Sequence, residues 1–425
     1  MIGYEQVFTP GKLPSDTYNE RSETQLVPQL NNTLTAGGKI AILTGQTKIG
    51  KTVLVRKVIP DDKRIEIQAG DLTDTPIEKV IARKLGAFPI EKRLIETLQE
   101  DDSEKNAFEA GFGARIKFWK FLFAKINVSR KNENSSLKSN IINEIFEDDL
   151  FTRVMEYINE NNYILVFDDF HYLEGEKQRK LIHRLKDPLS LGAKIVIVLI
   201  PNRNEDVITA EPDMQGRTKE IVVPSWNKEE LRFIPESGFK KLNISLDSIV
   251  IDDIVENGFR NPDLVQDICS HLCQEFQINQ AKETLTHINV SKTDLKRIYR
   301  ELNTTNSLID SIERGKITKG SGRKLYQLKG SDKKVDTYAL IIRALGNIAN
   351  KDAIQGGELV EEVHTLVKNN NGEPRRSDII ATVKRMVDIA KKQNSRDPAL
   401  TYEDDILKMY DPFFSFDIRW RHSID

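Results

Sequence analysis

Cysteine is nearly absent from this chain: only Cys269 and Cys273 occur. Two cysteines cannot lay down a disulfide framework, so stability must come from buried cores, and a reducing compartment fits. Long apolar stretches are missing as well. The purest, IVIVLI at 195–200, is far short of the ~20 residues that span a bilayer. The opening MIGYEQVFTPGKLPSD has no basic start followed by an apolar stretch, so no secretory leader is read and a cytoplasmic location is expected. Charge of one sign is not in excess either. Lys+Arg number 63 and Asp+Glu 65, a net charge of -2. That balance removes any global pull toward nucleic acid or anionic membrane and confines such surfaces to local patches.

What is present suits a folded, multidomain protein. The chain has 425 residues, 39% hydrophobic and 30% charged, which at ~100–200 residues per domain suggests about two to four domains. Short apolar or alternating runs read as strands at KIAILTG (39–45), RIEIQAGD (64–71), YILVFDD (163–169), KIVIVLIP (194–201) and EIVVP (220–224). Helical patterns separate them, and near-continuous apolar strands of this kind belong to a parallel sheet covered on both faces. Residues 1–38 read as an irregular lead-in followed by a helix, with Leu26, Leu30 and Leu34 at helical spacing. ARIKFWKFLFAKINV (114–128) reads as a core or subunit-facing element, with a membrane-surface helix as the alternative. KGSGRKLYQLKGSDKK (319–334) reads as a linker or exposed turn.

One stretch carries specific chemistry. GQTKIGKT (45–52) fits G-x-x-x-x-G-K-[ST], with a buried strand before it and a helix after it. Gly45 and Gly50 allow backbone conformations that aim N–H groups at phosphate oxygens, and the following helix offers its N-terminus to the anion. The segment Gly45, Gln46, Thr47, Lys48, Ile49, Gly50, Lys51, Thr52 and Val53 is therefore the candidate nucleotide cradle. Lys51 would sit on the β- and γ-phosphates, and Thr52 would ligate Mg²⁺. A second element is the apolar strand ending in Asp168 and Asp169. Asp168 would hold Mg²⁺ in its outer shell, and Asp169 would orient or deprotonate the attacking water. Asn202 and Arg203, directly after the 194–201 strand, would touch the γ-phosphate or the water. Arg217, before the 220–224 strand, would reach a neighbouring subunit's γ-phosphate; a surface salt bridge is its bland alternative.

These stretches resemble AAA+/STAND-type P-loop ATPases, and more narrowly bacterial relatives of origin-recognition initiators and of signal-transduction ATPases. The resemblance runs through GQTKIGKT, LVFDDFHYL (165–173), VLIPNR (198–203), GRTKEIVVPSWNKEEL (216–231), GFRNPDLVQDICSHLC (258–273) and DPFFSFDIRWR (411–421). It implies ATP and Mg²⁺ as cofactors, Asn202 and Arg203 at the sensor-1 place, and Arg217 at the place of an arginine finger. It also implies that Arg260 and Pro262 of the lid turn, and Arg21 ahead of the first helix, approach the nucleotide. The chain departs from the family in two places. Phe259, Arg260 and Asn261 separate the lid Gly from its Pro, and Asp169 stands where many relatives carry Glu. One methylene shorter, Asp169 would place water less well, so slow turnover is expected.

Toward the C-terminus, GGELVEEVHTLVKNN and PRRSDIIATVKRMVDIAKKQ read as two helices across a short turn, with TYEDD (401–405) and ILKMYDPFFSFDI (406–418) as a strand pair forming a wing. Lys368, Arg375, Arg376, Lys384, Arg385, Lys391, Lys392 and Arg396 cluster there, against Glu373, Asp378 and Asp388. Such a helix lies in a DNA groove, or is a solvated face, or serves protein contacts. Cys269, His271 and Cys273 lack the further ligands that zinc needs, so the two thiols read as core packing.

The expected architecture is an α/β P-loop NTPase core with a parallel sheet (1–225), an α-helical lid (226–318), and a linker with a winged-helix domain (319–425). The expected function is an ATP-driven switch that self-associates with nucleotide or acts on a separate effector. The resemblance suggests bacterial antiviral defence or signalling. The alternative is a DNA-binding ATPase of initiator or transposition-loader type that uses the winged helix on duplex DNA.

Overall fold

The computed structural model describes residues 1–85, 150–200, 214, 216–302, 307–315, 322–351, 353–368, 372–394 and 398–422. The expectations for 114–128, Asn202, Arg203 and Arg396 lie outside the described residues. Contacts divide the chain into two units. One comprises Ser22–Gly45 and Lys51–Val223; the other comprises Met1–Arg21, Gln46–Gly50 and Pro224–Asp425.

The first unit is built on a five-stranded sheet in the order β2-β3-β4-β1-β5. The strands are β1 (Ile40–Thr44), β2 (Arg64–Gln68), β3 (Ile164–Asp168), β4 (Lys194–Leu199) and β5 (Thr218–Val222). Every pairing is parallel. All five residues of β1 are buried, and only the first residue of β3 and of β4 is not. Ile40 and Ile42 join a core with Ile65, Ile67, Leu165, Phe167, Ile195 and Ile197, against the helices Ile77–Lys84, Leu150–Glu160 and Gly175–Arg184. The helices Leu26–Ala36 and Lys51–Val58 pack together, the former also on β1 and β5, and cover the other face. The edge strand β2 shows the alternation of a half-covered surface, as a strand without a second neighbour should, whereas β5 buries only Ile221. The expected parallel sheet with helices on both faces is what the chain forms. β5 begins at Thr218, earlier than the EIVVP reading placed it.

In the second unit, helices Lys228–Lys241, Ser248–Glu256, Pro262–Glu275 and Lys292–Leu302 pack on one another. The N-terminal segment belongs to them. Phe8 lies 4.9 Å from Phe239, ring to ring, over a gap that only glycine leaves open: a Cβ at Gly238 would meet the Phe8 ring at 2.3 Å. Cys269 and Cys273 are fully buried in this packing, as read, and burial pushes both thiols up, Cys273 to about 12.

The C-terminal residues form a separate core. Helices Thr337–Asn347, Gly356–Thr365 and Arg376–Gln393 accompany a three-stranded antiparallel sheet of Ile354–Gln355, Leu400–Glu403 and Ile406–Met409. Helices followed by a two-stranded wing make a winged-helix arrangement. Two expectations need correction. The second wing strand stops at Met409, and Pro412–Arg421 is a helix. Asp411 caps it, accepting a 3.0 Å bond from the Phe413 N–H, and Pro412 fits the first turn, where a missing N–H costs nothing. The 319–334 stretch is not all exposed turn, because Tyr326–Gln327 pairs antiparallel with Lys334–Val335 and buries Tyr326.

Candidate functional site

In the sheet unit the strands share one direction, so their C-terminal ends meet at one edge. Thr44 is level with Leu199 and Val222, and Gln68 with Asp168. That edge, where connections leave in opposite directions from adjacent strands, is where open α/β sheets hold ligands. β1 delivers Gly45 there, and β3 delivers Asp168.

Lys51 and Thr52 open the helix Lys51–Val58. Lys51 is buried, and its ammonium donates to the Gly45 carbonyl at 2.8 Å, closing the two ends of the loop on each other. The Thr52 hydroxyl donates to Asp168 Oδ2 at 2.9 Å, and Asp168 Oδ1 accepts the Asp169 N–H at 3.0 Å. Asp168 is buried, so its carboxylate has a fixed place. Asp169 is exposed just beyond the strand, in the left-handed region at φ 53°. The fold thus brings Asp168 to the Lys51-Thr52 pair, 116 residues from Thr52 in the sequence. Val53 follows, half-buried, in the same helical turn.

Beside them, the Arg56 guanidinium grips Glu66 of β2 at 3.0 and 2.6 Å. Burial pushes the Glu66 carboxyl up, but the hydrogen bond and charge of Arg56, with help from Arg64, hold it below the ordinary range.

A hydroxyl bonded to a carboxylate is a hard oxygen pair of the kind Mg²⁺ accepts, and Mg²⁺ needs few protein ligands when nucleotide phosphates supply others. Thr52 and Asp168 therefore fit the expected ion. Among the described residues no cluster of three or more His, Cys, Asp or Glu offers an all-protein metal site.

Arg217 is placed elsewhere. It is exposed at the start of β5, where its carbonyl accepts the Ile40 N–H at 2.9 Å. It lies at the end of the sheet opposite Thr44, roughly the length of a five-residue strand (~16 Å) away. Within its own chain it does not join Lys51, Thr52 and Asp168.

The loop residues Gln46–Gly50 group with the second unit. Lys48 is left-handed at φ 59°, and Gly50 lies at φ 96°, where a side chain would be strained. The loop carbonyls are held from outside the motif. The Lys48 carbonyl accepts Asn261 Nδ2 at 2.8 Å, and the Ile49 carbonyl accepts Trp226 Nε1 at 2.9 Å. The Lys48 ammonium pairs with Asp411 at 3.2 Å and sits 4.1 Å from the centre of the Phe413 ring. Gln46 meets the Ser225 hydroxyl at 3.4 Å, and Thr47 is half-buried.

Pro262 is the first residue of its helix, and Asn261 is the cap, accepting the Leu264 N–H at 2.8 Å. Phe259 and Arg260 before it are both left-handed, a tight turn, and Arg260 is exposed. Arg260, Trp226, Gln46 and Tyr410 line a cavity of about 430 Å³ in this unit. Arg21 is committed to protein. Its guanidinium clasps Glu230 at 2.8 and 3.0 Å, reaches the carbonyls of Pro224 and Ser225, and stacks over Trp226 at 4.6 Å. It fastens the lead-in to the segment that carries Trp226, and a direct nucleotide contact would have to displace these bonds.

Sequence reasoning passed over Asn261, Trp226 and Asp411. Asn before Pro is a helix-start signature that could have found Asn261 as a cap. Nothing in the sequence marked its second bond, to the loop.

Neither a protein-family model nor any curated protein matches this chain. Solved structures similar to it include a Walker-type ATPase of Pyrococcus abyssi, at 14% identity and a TM-score of 0.49, covering 97% of this chain and 99% of that one. The ORC2 protein of Aeropyrum pernix, solved as ADPNP-ADP complexes, is similar at 13% identity and a TM-score of 0.44, with coverage of 99% and 98%. The ORC1 protein of the same organism, solved in complex with DNA, is similar at 13% identity and a TM-score of 0.42, with coverage of 98% and 96%.

Proposed function

We propose that this chain is an ATP-binding and hydrolysing molecular switch that self-associates with nucleotide, of the AAA+ P-loop kind its motifs resemble. The observation that carries this reading is the Thr52–Asp168 bond beside a buried Lys51 at the mouth of a parallel sheet.

In the proposed reaction, Lys51 exchanges the Gly45 carbonyl for the β- and γ-phosphate oxygens, and Thr52 and Asp168 would hold Mg²⁺. When bound, Mg²⁺ supplies positive charge against those phosphate oxygens. Asp169, exposed just beyond the strand, accepts a proton from water as that water attacks the γ-phosphorus and the bond to the departing ADP oxygen breaks. Asn202 and Arg203, next in the sequence after β4, would contact the γ-phosphate. Arg217, at the far end of the sheet, serves a neighbouring subunit, so hydrolysis requires assembly.

The test is steady-state phosphate release by the parent and Asp169→Asn, with particle mass measured with and without a non-hydrolysable ATP analogue. Loss of release in the variant, and a heavier particle with the analogue, are expected. Equal, near-zero release from both proteins would leave a nucleotide-binding scaffold without turnover.

Bacterial antiviral defence or signalling, through a separate effector polypeptide in the cytoplasm, is the setting we infer from the sequence resemblance. No helix among the described residues is long and apolar enough to cross a membrane.

A second reading, a DNA-binding ATPase, draws on Lys384, Arg385, Lys391 and Lys392, all exposed along Arg376–Gln393. Against it stands an acidic wing turn, Glu403-Asp404-Asp405, to which Arg376 is already tied at 2.7 Å. Gel-shift titration at two salt concentrations separates the readings. Phosphate contacts weaken steeply with salt, and Arg385→Glu should then abolish the shift; a shift unchanged in that variant would remove the DNA reading.

A further inference from the structure

The strongest feature outside the motif itself is the pair of side chains that grip the loop's carbonyls. A trans peptide is planar, with its C=O and the next N–H pointing in opposite directions. Fixing the Lys48 carbonyl therefore fixes the direction of the Ile49 N–H, and fixing the Ile49 carbonyl fixes that of Gly50. Asn261 does the first at 2.8 Å and Trp226 the second at 2.9 Å. Both anchors are well placed to be rigid. Asn261 is fully buried, and its amide is used at both ends, the oxygen on the Leu264 N–H and the nitrogen on the loop. Trp226 is buried under the Arg21 guanidinium, which is itself locked to Glu230.

We propose that Asn261 and Trp226 are positioning residues of the phosphate loop: they turn two consecutive peptide planes so that the Ile49 and Gly50 N–H groups face away from the protein anchors and toward the phosphates. This rests on the reading of the motif as a nucleotide site. Lys48 is a non-glycine residue in the left-handed region, so the loop's shape is not its own local preference and needs such an outside hold. With the anchors in place the donors are oriented before nucleotide arrives, which lowers the cost of binding without touching the transferred group.

The test uses the full chain and Mg·ATP. Asn261→Ser keeps a good cap for the Pro262–Glu275 helix but is too short to reach the Lys48 carbonyl. Trp226→Phe keeps most of the ring packing and removes the N–H. Each is expected to weaken ATP binding about tenfold, the weight of one hydrogen bond. KM should rise in step, while kcat and the melting temperature stay near the parent's. A merely structural role would instead lower melting temperature and kcat with KM unchanged, and that result overturns the proposal. So does parental ATP affinity in both variants when Lys51→Ala has lost binding. Parental affinity in Lys51→Ala itself would instead sink the nucleotide-site reading on which the proposal rests.

Discussion

The two ends of the phosphate motif and its middle are secured by different kinds of residue. At the ends, Lys51 closes on Gly45 and Thr52 on Asp168, all within the sheet unit. In the middle, Lys48 and Ile49 are held by Asn261, Trp226 and Asp411, which the sequence brings from beyond Pro224. The end residues are of types that phosphate and magnesium chemistry dictates. The middle is held by ordinary donors whose only qualification is where the fold puts them. A reader of the sequence finds the first kind and misses the second.

The sharpest way to break the comparison is at its ends. Lys51→Ala should weaken ATP binding by about 10–100-fold, since a charge-assisted bond is worth about 1.5–3 kcal/mol. Equilibrium titration measures it, and parental affinity would show that the ends do not form the site. A middle contact made by charge alone should matter far less. Asp411→Asn removes the ion pair to Lys48 but keeps a good cap on the Phe413 N–H. Both partners are a third or more exposed, at 41% and 33%, so about 1 kcal/mol or less is at stake. The ATP affinity of that variant should change by less than about fivefold; a loss as large as that of Lys51→Ala would overturn the ranking.

The smallest effect lies on the helix that carries Asn261 but away from the loop. His271 is raised above its ordinary value by its hydrogen bond to Asp267, against the opposing pull of burial. Its stabilising contribution is therefore fully present below about pH 6.5, the unfolded value, and is lost as pH rises through the higher folded value. Thermal melts of parent and His271→Gln should differ more at about pH 5.5 than at about pH 8.5, with ATP affinity alike in both proteins. An equal difference at both pH values would contradict the shift.

Much of the fold was legible because burial leaves a pattern. β1, β3 and β4 are near-continuous apolar runs because both faces are covered, and β2 alternates because it is an edge. β5 was misplaced because Thr218 and Lys219 lie on an exposed edge and leave no apolar mark. The wing strand ends before 418 because Asp411 and Pro412 start a helix, although FFSF reads as strand-forming. In the site, Lys51, Thr52 and Asp168 were legible from motif and context. Arg21 is placed near the nucleotide by resemblance alone, and it also pairs with Glu230, a partner no spacing rule indicates. Asn261 and Trp226 were illegible because a bond to a main-chain carbonyl constrains the donor's place and not the residue that receives it.

The most direct measurement is a structure of the chain crystallised with a non-hydrolysable ATP analogue and Mg²⁺. The expected result is phosphates against the Gly45–Thr52 backbone, Mg²⁺ held by Thr52 and Asp168, and the carbonyls of Lys48 and Ile49 still on Asn261 and Trp226. A nucleotide bound elsewhere, with Thr52 and Asp168 apart and Lys51 away from the phosphates, would contradict it.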